Sequence, residues 1–410
     1  MFLNIERFIA FRQIKGKSGN KNKLSGPLYR ISILAISLSV AVMIVSLSVL
    51  DGFQHEITSK VIGFGAHIQL TKYDNNNSFE PQPITVNGDY LNQINKIPGV
   101  SKTSLYAIKA GIMKTNDEME GVILKGVGQG FEGAFFKKNL VAGKLFNTHS
   151  VNKNDSILIS KKIASKFNLN VHDKVVVYFI QNPARVRKFV ISGIYNTGLE
   201  DFDNKYFLCD VRHIQRLNNW DSTQFAGIEI SINDFKKLDL ITAKINEIIP
   251  TEWIASSITE QFPQLFDWLK LQDINVQVII ILMTLVAIVY MVTDLLILIL
   301  ENTRLIGILK ALGMSNAQLQ KVFLYQVGVI VGKGLLYGNV SAISLCILQS
   351  KFHFITLDET SYYISYVPIQ MNWGMILLVN FTTFVVCTLA LMLPSRHVAK
   401  ISPLKAIRYN

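Results

Sequence analysis

The sequence predicts a membrane protein with four transmembrane α-helices in a one-plus-three arrangement, and a large α+β extracytoplasmic domain between the first and second spans. Hydrophobic residues make up 50% of the 410 positions and charged residues only 17%, an unusual balance for a soluble chain of this length. The apolar excess is concentrated in four blocks, and the basic residues collect beside those blocks unevenly. These observations together give both the fold class and the orientation.

Each apolar block is long enough to cross a bilayer. The first has no charged residue over 20 positions, and 20 helical residues at about 1.5 Å each span a hydrocarbon core of about 30 Å. A cleavable signal peptide is the competing interpretation of this block, but its basic leader is long and its apolar run exceeds that of a signal sequence. We therefore predict an uncleaved anchor. The predicted spans are 31–50, 272–300, 322–349 and 373–393.

The net charge of +12 indicates orientation rather than nucleic-acid binding. Seven basic residues lie in segment 1–30, and more follow in the connector 301–321 and the tail 394–410, whereas the loop 350–372 carries only Lys351. The positive-inside rule then places both termini and the connector in the cytoplasm. Segment 51–271 lies outside, with 25 basic residues against 23 acidic ones.

Catalytic and metal-binding patterns are missing from the sequence. The chain has no P-loop motif and no H-E-x-x-H motif, and its three cysteines are scattered, so they indicate neither a disulfide framework nor a metal site. Residues 128–133, GQGFEG, match G-x-G-x-x-G, but we interpret them as a turn-rich loop because no clear βαβ repeat follows. We predict a chain without catalytic residues, bound metal or cofactor.

The external domain is predicted to begin and end with β-α-β units. AHIQLTKY, NGDYLNQINKIPGV and SKTSLYAIKAGIMKT form the first unit, and FAGIEISI, DFKKLDLITAKINEIIP and TEWIASSI form the second. The section between them is read mainly as strands: GVILKGV, SILIS, KVVVYFI and RKFVISGIYN, with a short helix, KKIASKFNL. A helical stalk is predicted from about 258 to 273, leading into the second span.

Charged and small residues inside the spans indicate helix packing. Asp294 and Lys333 would each be costly in hydrocarbon unless paired or hydrated, so one hypothesis is an ion pair between the second and third spans. The alternative is that each separately finds water or a backbone carbonyl. The third span also contains two small-xxx-small pairs, which favour close helix contacts: Gly328, Gly332, Gly334 and Gly338.

The connector between the second and third spans is the strongest candidate site. ENTRLIGILKALG, residues 301–313, reads as a helix too short to span the membrane and too apolar for free solvation, with Gly313 placed to end it. It either lies on the inner membrane interface or docks into a cytoplasmic partner.

At this point the chain resembles the FtsX-like permease subunits of ABC transporters, and among them the lipoprotein-releasing LolC/LolE type. TRLIGILKALGMSNAQL resembles the cytoplasmic coupling segment of the family, with Leu305 where an acid is usual. PSRHVAKISPLKAIR resembles its closing motif. RFIAFRQIK and the first span resemble LolC/LolE in particular. GVILKGVGQGFEG lies where the family has a Gly-Val pattern followed by Asp-Pro. The Asp-Pro pair is missing here.

The resemblance implies a non-catalytic, multi-pass subunit of the bacterial inner membrane with a MacB-like core in its periplasmic domain. Its implied partners are a cytoplasmic ATPase dimer that binds ATP and Mg²⁺, a second permease or second copy, a lipoprotein cargo and a periplasmic carrier. The family's carrier-binding hook corresponds here to a short hairpin at 178–190. The implied ATPase-coupling residues are Glu301, Arg304, Leu305, Ile306, Gly307, Ile308, Leu309, Lys310, Ala311, Leu312 and Gly313.

Two other functional classes remain open on the sequence. One is a MacB-like exporter or an FtsX-like regulator of an extracellular hydrolase, which would use the same mechanical coupling. The other is a membrane scaffold without an ATPase, in which the connector would be only an interfacial helix. A P-loop ATPase that binds the chain would separate the scaffold from the transporters.

Overall fold

The computed structural model describes residues 6–10, 25–74, 79–114, 118–146 and 155–395. Most of the predicted basic N-terminal segment and nearly all of the C-terminal motif therefore lie outside the described residues. The chain divides into two compact units. The helical unit contains Met1–Gln54, Trp268–Ile355 and Val367–Asn410, and the sheet unit contains His55–Asp267 and Thr356–Tyr366.

The helices and strands follow in chain order. The helices are α1 Ser25–Gly65, α2 Gly88–Asn95, α3 Ala134–Lys138, α4 Lys161–Lys166, α5 Glu200–Asp203, α6 Val211–Asn218, α7 Leu238–Ile248, α8 Ile258–Gln261, α9 Pro263–Glu301, α10 Thr303–Ala311, α11 Asn316–Phe352, α12 Glu359–Tyr362 and α13 Trp373–Ser395. The strands are β1 Ile68–Lys72, β2 Ile84–Thr85, β3 Val100–Lys114, β4 Met119–Val127, β5 Leu140–Gly143, β6 Ser156–Ser160, β7 Lys174–Phe179, β8 Arg185–Tyr195, β9 Tyr206–Asp210, β10 Gln224–Phe225, β11 Gly227–Ile232 and β12 Trp253–Ser257.

Four helices of the described chain are long and apolar enough to cross a membrane: α1, α9, α11 and α13. This confirms the predicted number of spans and their one-plus-three order. The first three of these four helices extend well beyond the apolar blocks: α1 continues to Gly65, α9 begins at Pro263, and α11 runs from Asn316 to Phe352. Hydropathy thus located the spans but not the ends of their helices.

The core of the helical unit is a seam of aliphatic side chains from the four long helices and α10. Ile36, Met291 and Val331 are each at most 1% exposed within it. Two glycines of α11 allow α1 to approach closely: an added Cβ at Gly334 would lie 2.6 Å from Ile36 Cγ2, and one at Gly338 would lie 2.8 Å from the Ser37 carbonyl oxygen. Glycine there permits backbone-to-backbone packing of the kind that small-xxx-small pairs favour.

The sheet unit has the α+β fold that the sequence predicts. Its main sheet follows the order β12-β1-β11-β3-β4-β9-β6-β8-β5, and β7 joins β3 to β8. The pairings β3-β4-β9-β6-β8-β7-β3 therefore form a closed ring, in which the 15-residue strand β3 is shared with the open part of the sheet. The two predicted β-α-β units interleave, because β11 of the second lies between β1 and β3 of the first.

Some elements of the sheet unit escaped the sequence analysis. Strand β9 runs parallel to β4 and leads directly into α6, whose N-cap Asp210 accepts a hydrogen bond from Arg212 N at 3.0 Å. A short apolar run followed by a capping aspartate is the signal that could have revealed it. The GQGFEG segment is a turn, as expected: Gly130 has φ +86°, and a Cβ there would lie 2.2 Å from the Thr103 carbonyl oxygen.

The C-terminal end of α1 is held by a buried lysine. Lys125 of β4 donates hydrogen bonds to the Phe64 carbonyl oxygen and to Glu229 of β11, and both charged side chains are almost fully buried. The carbonyls at a helix end are unsatisfied and carry partial negative charge, so a cation there is doubly favourable. This contact fixes the end of α1 on the centre of the sheet.

The predicted stalk is helical but not continuous. Ser257 and Glu260 form a capping box at the start of α8, with Ser257 N donating to Glu260 Oε2 at 2.8 Å. Helix α8 ends at Gln261, and α9 begins two residues later at Pro263, where the missing N–H of proline costs no helical hydrogen bond. The continuous helix therefore starts at Pro263 rather than near 258.

We predict different effects for the same substitution at two glycines of α11. Gly338→Ala pushes a methyl group against the backbone of α1, which should lower the unfolding free energy by about 1–3 kcal/mol. Gly332→Ala is the matched control, since no described atom lies within 4 Å of its Cβ and alanine is the better helix former. Thermal unfolding in detergent measures both. Equal stability of the two variants would contradict this account of the packing.

Candidate functional site

The joint between α9 and α10 is fixed by side chains that satisfy the last carbonyls of α9. Asn302 Nδ2 donates to Leu298 O at 2.8 Å, and Thr303 Oγ1 donates to Leu300 O at 2.7 Å. Ile306 N donates to Asn302 O at 2.9 Å, and α10 begins one residue after α9, at Thr303. These two roles were not predicted from the sequence, although Asn and Thr side chains often bond nearby backbone groups.

The other end of α10 has the two hydrogen bonds of a Schellman motif. Gly313 N donates to Lys310 O and Met314 N donates to Leu309 O, both at 3.0 Å. Gly313 has φ +93°, which confirms that it ends the helix. Ser315 and Gln318 then form a capping box that begins α11. The connector is therefore a defined short helix with a structured boundary on each side.

Helix α10 has one anchored face and one free face. Ile306 and Gly307 are buried, and Leu309 and Met314 pack against the core of the helical unit. On the opposite face, spaced at i, i+4, i+7 and i+8, lie Arg304, Ile308, Ala311 and Leu312, all exposed. Ile308 is 42% exposed and Leu312 78% exposed. The structure thus divides the predicted coupling residues into those that hold the helix and those that present a surface.

The charged residues of this segment are placed around that surface. Glu301 and Arg304 are exposed at its start, and Lys310 is partly buried, which lowers the pKa of its amine. Leu305 is half-buried, so the position where the family usually has an acid adds apolar area here. The free face is thus an apolar strip with one acidic and one basic side chain exposed at its start.

Asp294 and Lys333 both contact α1 in this structure, and not each other. Asp294 is buried and accepts a hydrogen bond from Ser32. The Lys333 ammonium lies over the Tyr29 ring, with Nζ 5.4 Å from the ring centroid. Each ionisable side chain therefore has its own partner on the first helix, and these partners are a hydroxyl group and an aromatic ring, not the water or backbone carbonyl of the alternative prediction. Of the four glycines, Gly334 and Gly338 form a packed pair, whereas no described atom lies within 4 Å of a Cβ at Gly328 or Gly332.

The hairpin at 178–190 is formed by β7 and β8, with Phe179 opposite Arg185. Arg185 anchors the hairpin at the start of β8, because its Nη1 donates to Arg216 O at 2.6 Å and to Leu217 O at 3.0 Å. Ile180 at the tip is 77% exposed. The connection is short, as its sequence predicts, and Arg185 anchors it.

Two family models match the chain. The FtsX-like permease C-terminal model covers residues 277–403, and the MacB-like periplasmic core domain model covers residues 31–248. The chain is similar over its whole length to the lipoprotein-releasing system transmembrane protein LolC of Xylella fastidiosa, with 22% identity and 100% of both chains covered. It is also 22% identical to LolE of Haemophilus influenzae, with 99% of each chain covered. A crystal structure of the periplasmic region of MacB from Actinobacillus actinomycetemcomitans aligns with 50% of this chain and 95% of its own, at 13% identity and a TM-score of 0.35.

We predict that replacing Gly313 destabilises the connector through backbone conformation alone. No described atom lies within 4 Å of a Cβ there, so Gly313→Ala meets no steric clash. It does place a Cβ on a left-handed residue, at a cost of about 1–2 kcal/mol. Gly313→Asn is the control and should cost less, since asparagine tolerates this conformation. Unfolding measurements in detergent would contradict this account if alanine were as stable as glycine.

Proposed function

Because the chain belongs to the family of FtsX-like ABC transporter permeases with a MacB-like core domain, we propose that it couples a separate ATPase to the release of lipoproteins from the inner membrane. The free face of α10 is the observation that carries this proposal. It combines exposed apolar side chains with an anchored opposite face, and a rigid helix of this kind can transmit a push from a bound partner.

The proposed orientation places α10 and both termini in the cytoplasm and the sheet unit in the periplasm. It is supported by the excess of basic residues in the terminal segments and the connector. Two cytoplasmic ATPase subunits would bind ATP and Mg²⁺, and each would dock on the α10 of one permease. This chain would pair with a second permease or with its own copy.

The proposed cycle is mechanical. Closure of the ATPase dimer pushes α10, and the fixed joints at Asn302 and Gly313 pass that displacement to α9 and α11. Helix α9 is continuous from Pro263 to Glu301, and its residues 263–267 belong to the sheet unit, so the helix itself would carry the movement to that unit. The cargo is a lipoprotein in the outer leaflet, as the names of the LolC and LolE relatives suggest. The output is motion in the periplasm.

A substitution on the free face tests the ATPase docking. The double variant Ile308→Asp and Leu312→Asp should reduce co-purification of a P-loop ATPase at least tenfold, because each buried leucine-sized side chain contributes about 1.5–3 kcal/mol. Leu240→Asp is the matched control, since Leu240 is 56% exposed on α7 of the sheet unit. If no ATPase co-purifies with the parent chain, or if the double variant retains it fully, the docking proposal fails.

Depletion of the protein tests the cargo. When the permease is depleted, acylated lipoproteins destined for the outer membrane should accumulate in the inner membrane, because the step that extracts them is lost. Fractionation of the two membranes, followed by detection of acylated proteins, measures this distribution. An unchanged distribution would exclude lipoprotein release while leaving the docking result untouched. Secretion of other substrates would then indicate an exporter.

A further inference from the structure

The segment Thr356–Tyr366, which we call the return segment, belongs to the sheet unit although it lies in sequence between α11 and α13. Its two ends pair, since Thr356 and Tyr366 form a β-bridge and Leu357 N donates to Ser365 O at 3.0 Å. Ile364 is only 2% exposed, whereas Asp358, Ser361 and Tyr362 are exposed. The return segment is thus a closed loop that buries one apolar side chain, Ile364.

The neck of this loop, formed by Ile355 and Val367, is fixed to the end of α11 within the helical unit. Gln349 is 1% exposed, and its Nε2 donates to the carbonyl oxygens of Ile355 and Val367, each at 3.1 Å. Gln349 Oε1 accepts from Ile355 N at 3.0 Å, and Val367 N donates to Ile355 O at 3.1 Å. One buried side chain therefore holds both strands of the neck, and the neck has to follow any displacement of α11.

The tip of the return segment is held by a cation and a glycine of the sheet unit. Lys60 of α1 donates from Nζ to Tyr363 O at 2.9 Å. Gly198 has φ +75°, and a Cβ there would lie 2.5 Å from Glu359 Oε1 and 2.9 Å from Lys60 Nζ. The positive φ favours glycine here, and the nearest backbone atom to that Cβ is the Tyr363 carbonyl oxygen at 3.2 Å.

A buried carboxylate holds Gly198 in position. Asp203 accepts from the backbone N–H groups of Thr197 and Gly198, both at 3.0 Å, and from Thr197 Oγ1 at 2.7 Å. Burial raises the pKa of Asp203, and these hydrogen bonds together with the nearby Lys60 oppose that rise. The turn at Gly198 is therefore held by hydrogen bonds within residues 197–203, which is the arrangement expected of a specific attachment point.

We propose that the return segment is a tether that ties the sheet unit to α11 and α13 through Lys60, so that displacement of those helices reaches the sheet unit by a route separate from α1 and α9. The role of this tether in transmitting movement during lipoprotein release rests on the proposed function. The existence of the tether does not rest on that function. The two parts are tested by separate measurements.

Site-resolved thiol labelling tests the attachment. In the full chain in lipid nanodiscs, Ile364→Cys should react slowly with a polar maleimide, because the position is buried. Adding Lys60→Glu removes a charged hydrogen bond and places a carboxylate beside Glu359, so labelling at 364 should become about tenfold faster. Native Cys209, which is fully buried in the sheet unit, reports whether that unit stays folded. Lys244→Glu, on the exposed face of α7, is the matched control.

Two labelling results would overturn the tether. One is rapid labelling of position 364 in the parent chain, at the rate of a cysteine placed at exposed Lys114. The other is no acceleration by Lys60→Glu beyond that of Lys244→Glu. If Cys209 becomes labelled together with position 364, Glu359→Lys is added to the Lys60→Glu chain. Restored protection of both sites then supports the charge contact, and continued exposure of both overturns it.

The output is measured with the ATPase-bound complex. We expect Lys60→Glu to retain ATP hydrolysis within about twofold, while lipoprotein release falls about tenfold, again in proportion to the lost hydrogen bond. Unchanged release with an open tether would overturn the transmission role. A parent complex that hydrolyses ATP but releases no lipoprotein would overturn the proposed function and this output with it, whereas the labelling result would still decide whether the tether exists.

Discussion

Within hydrocarbon, every backbone N–H and C=O group must find a partner inside the protein, and most of this structure depends on that constraint. The four long helices meet it along their length. Where helices end, side chains replace the missing partners: Asn302 and Thr303 bond the last carbonyls of α9, and Gln349 holds the strands that leave α11. At these helix ends the irregular backbone is therefore short, and its polar groups have partners within the chain.

Different positions along one helix make different contacts. Helix α10 uses Ile306 and Gly307 to hold its place and leaves Ile308 and Leu312 free for a partner. Helix α1 uses Gly334 and Gly338 of its neighbour for packing in the helical unit, and its far end is held in the sheet unit by Lys125. A buried lysine is costly without partners, so its bonds to Phe64 and Glu229 leave little freedom for that end of the helix.

Local pattern was sufficient for the spans, for most strands and for the end of the connector at Gly313. Hydropathy and alternation are local patterns of about ten residues, so they predict features of about that length. They do not predict the order of the strands, because β11 lies between β1 and β3 through pairings of residues more than 100 positions apart in the chain. Residues far apart in the sequence also determine three other features. These are the free face of α10, the contact of Asp294 with Ser32, and the place of the return segment.

The discontinuity of the sheet unit sets an order of events during synthesis. Residues 55–267 leave the ribosome first, yet the last piece of this unit, Thr356–Tyr366, follows only after α9 and α11 have been made. Domains begin to fold as they emerge, so the surface around Gly198 and Lys60 awaits a segment that arrives only when two further helices have been inserted. Because the loop after the third span lies on the same side of a membrane as the domain after the first span, Ile364 reaches this surface only when both intervening spans have been inserted.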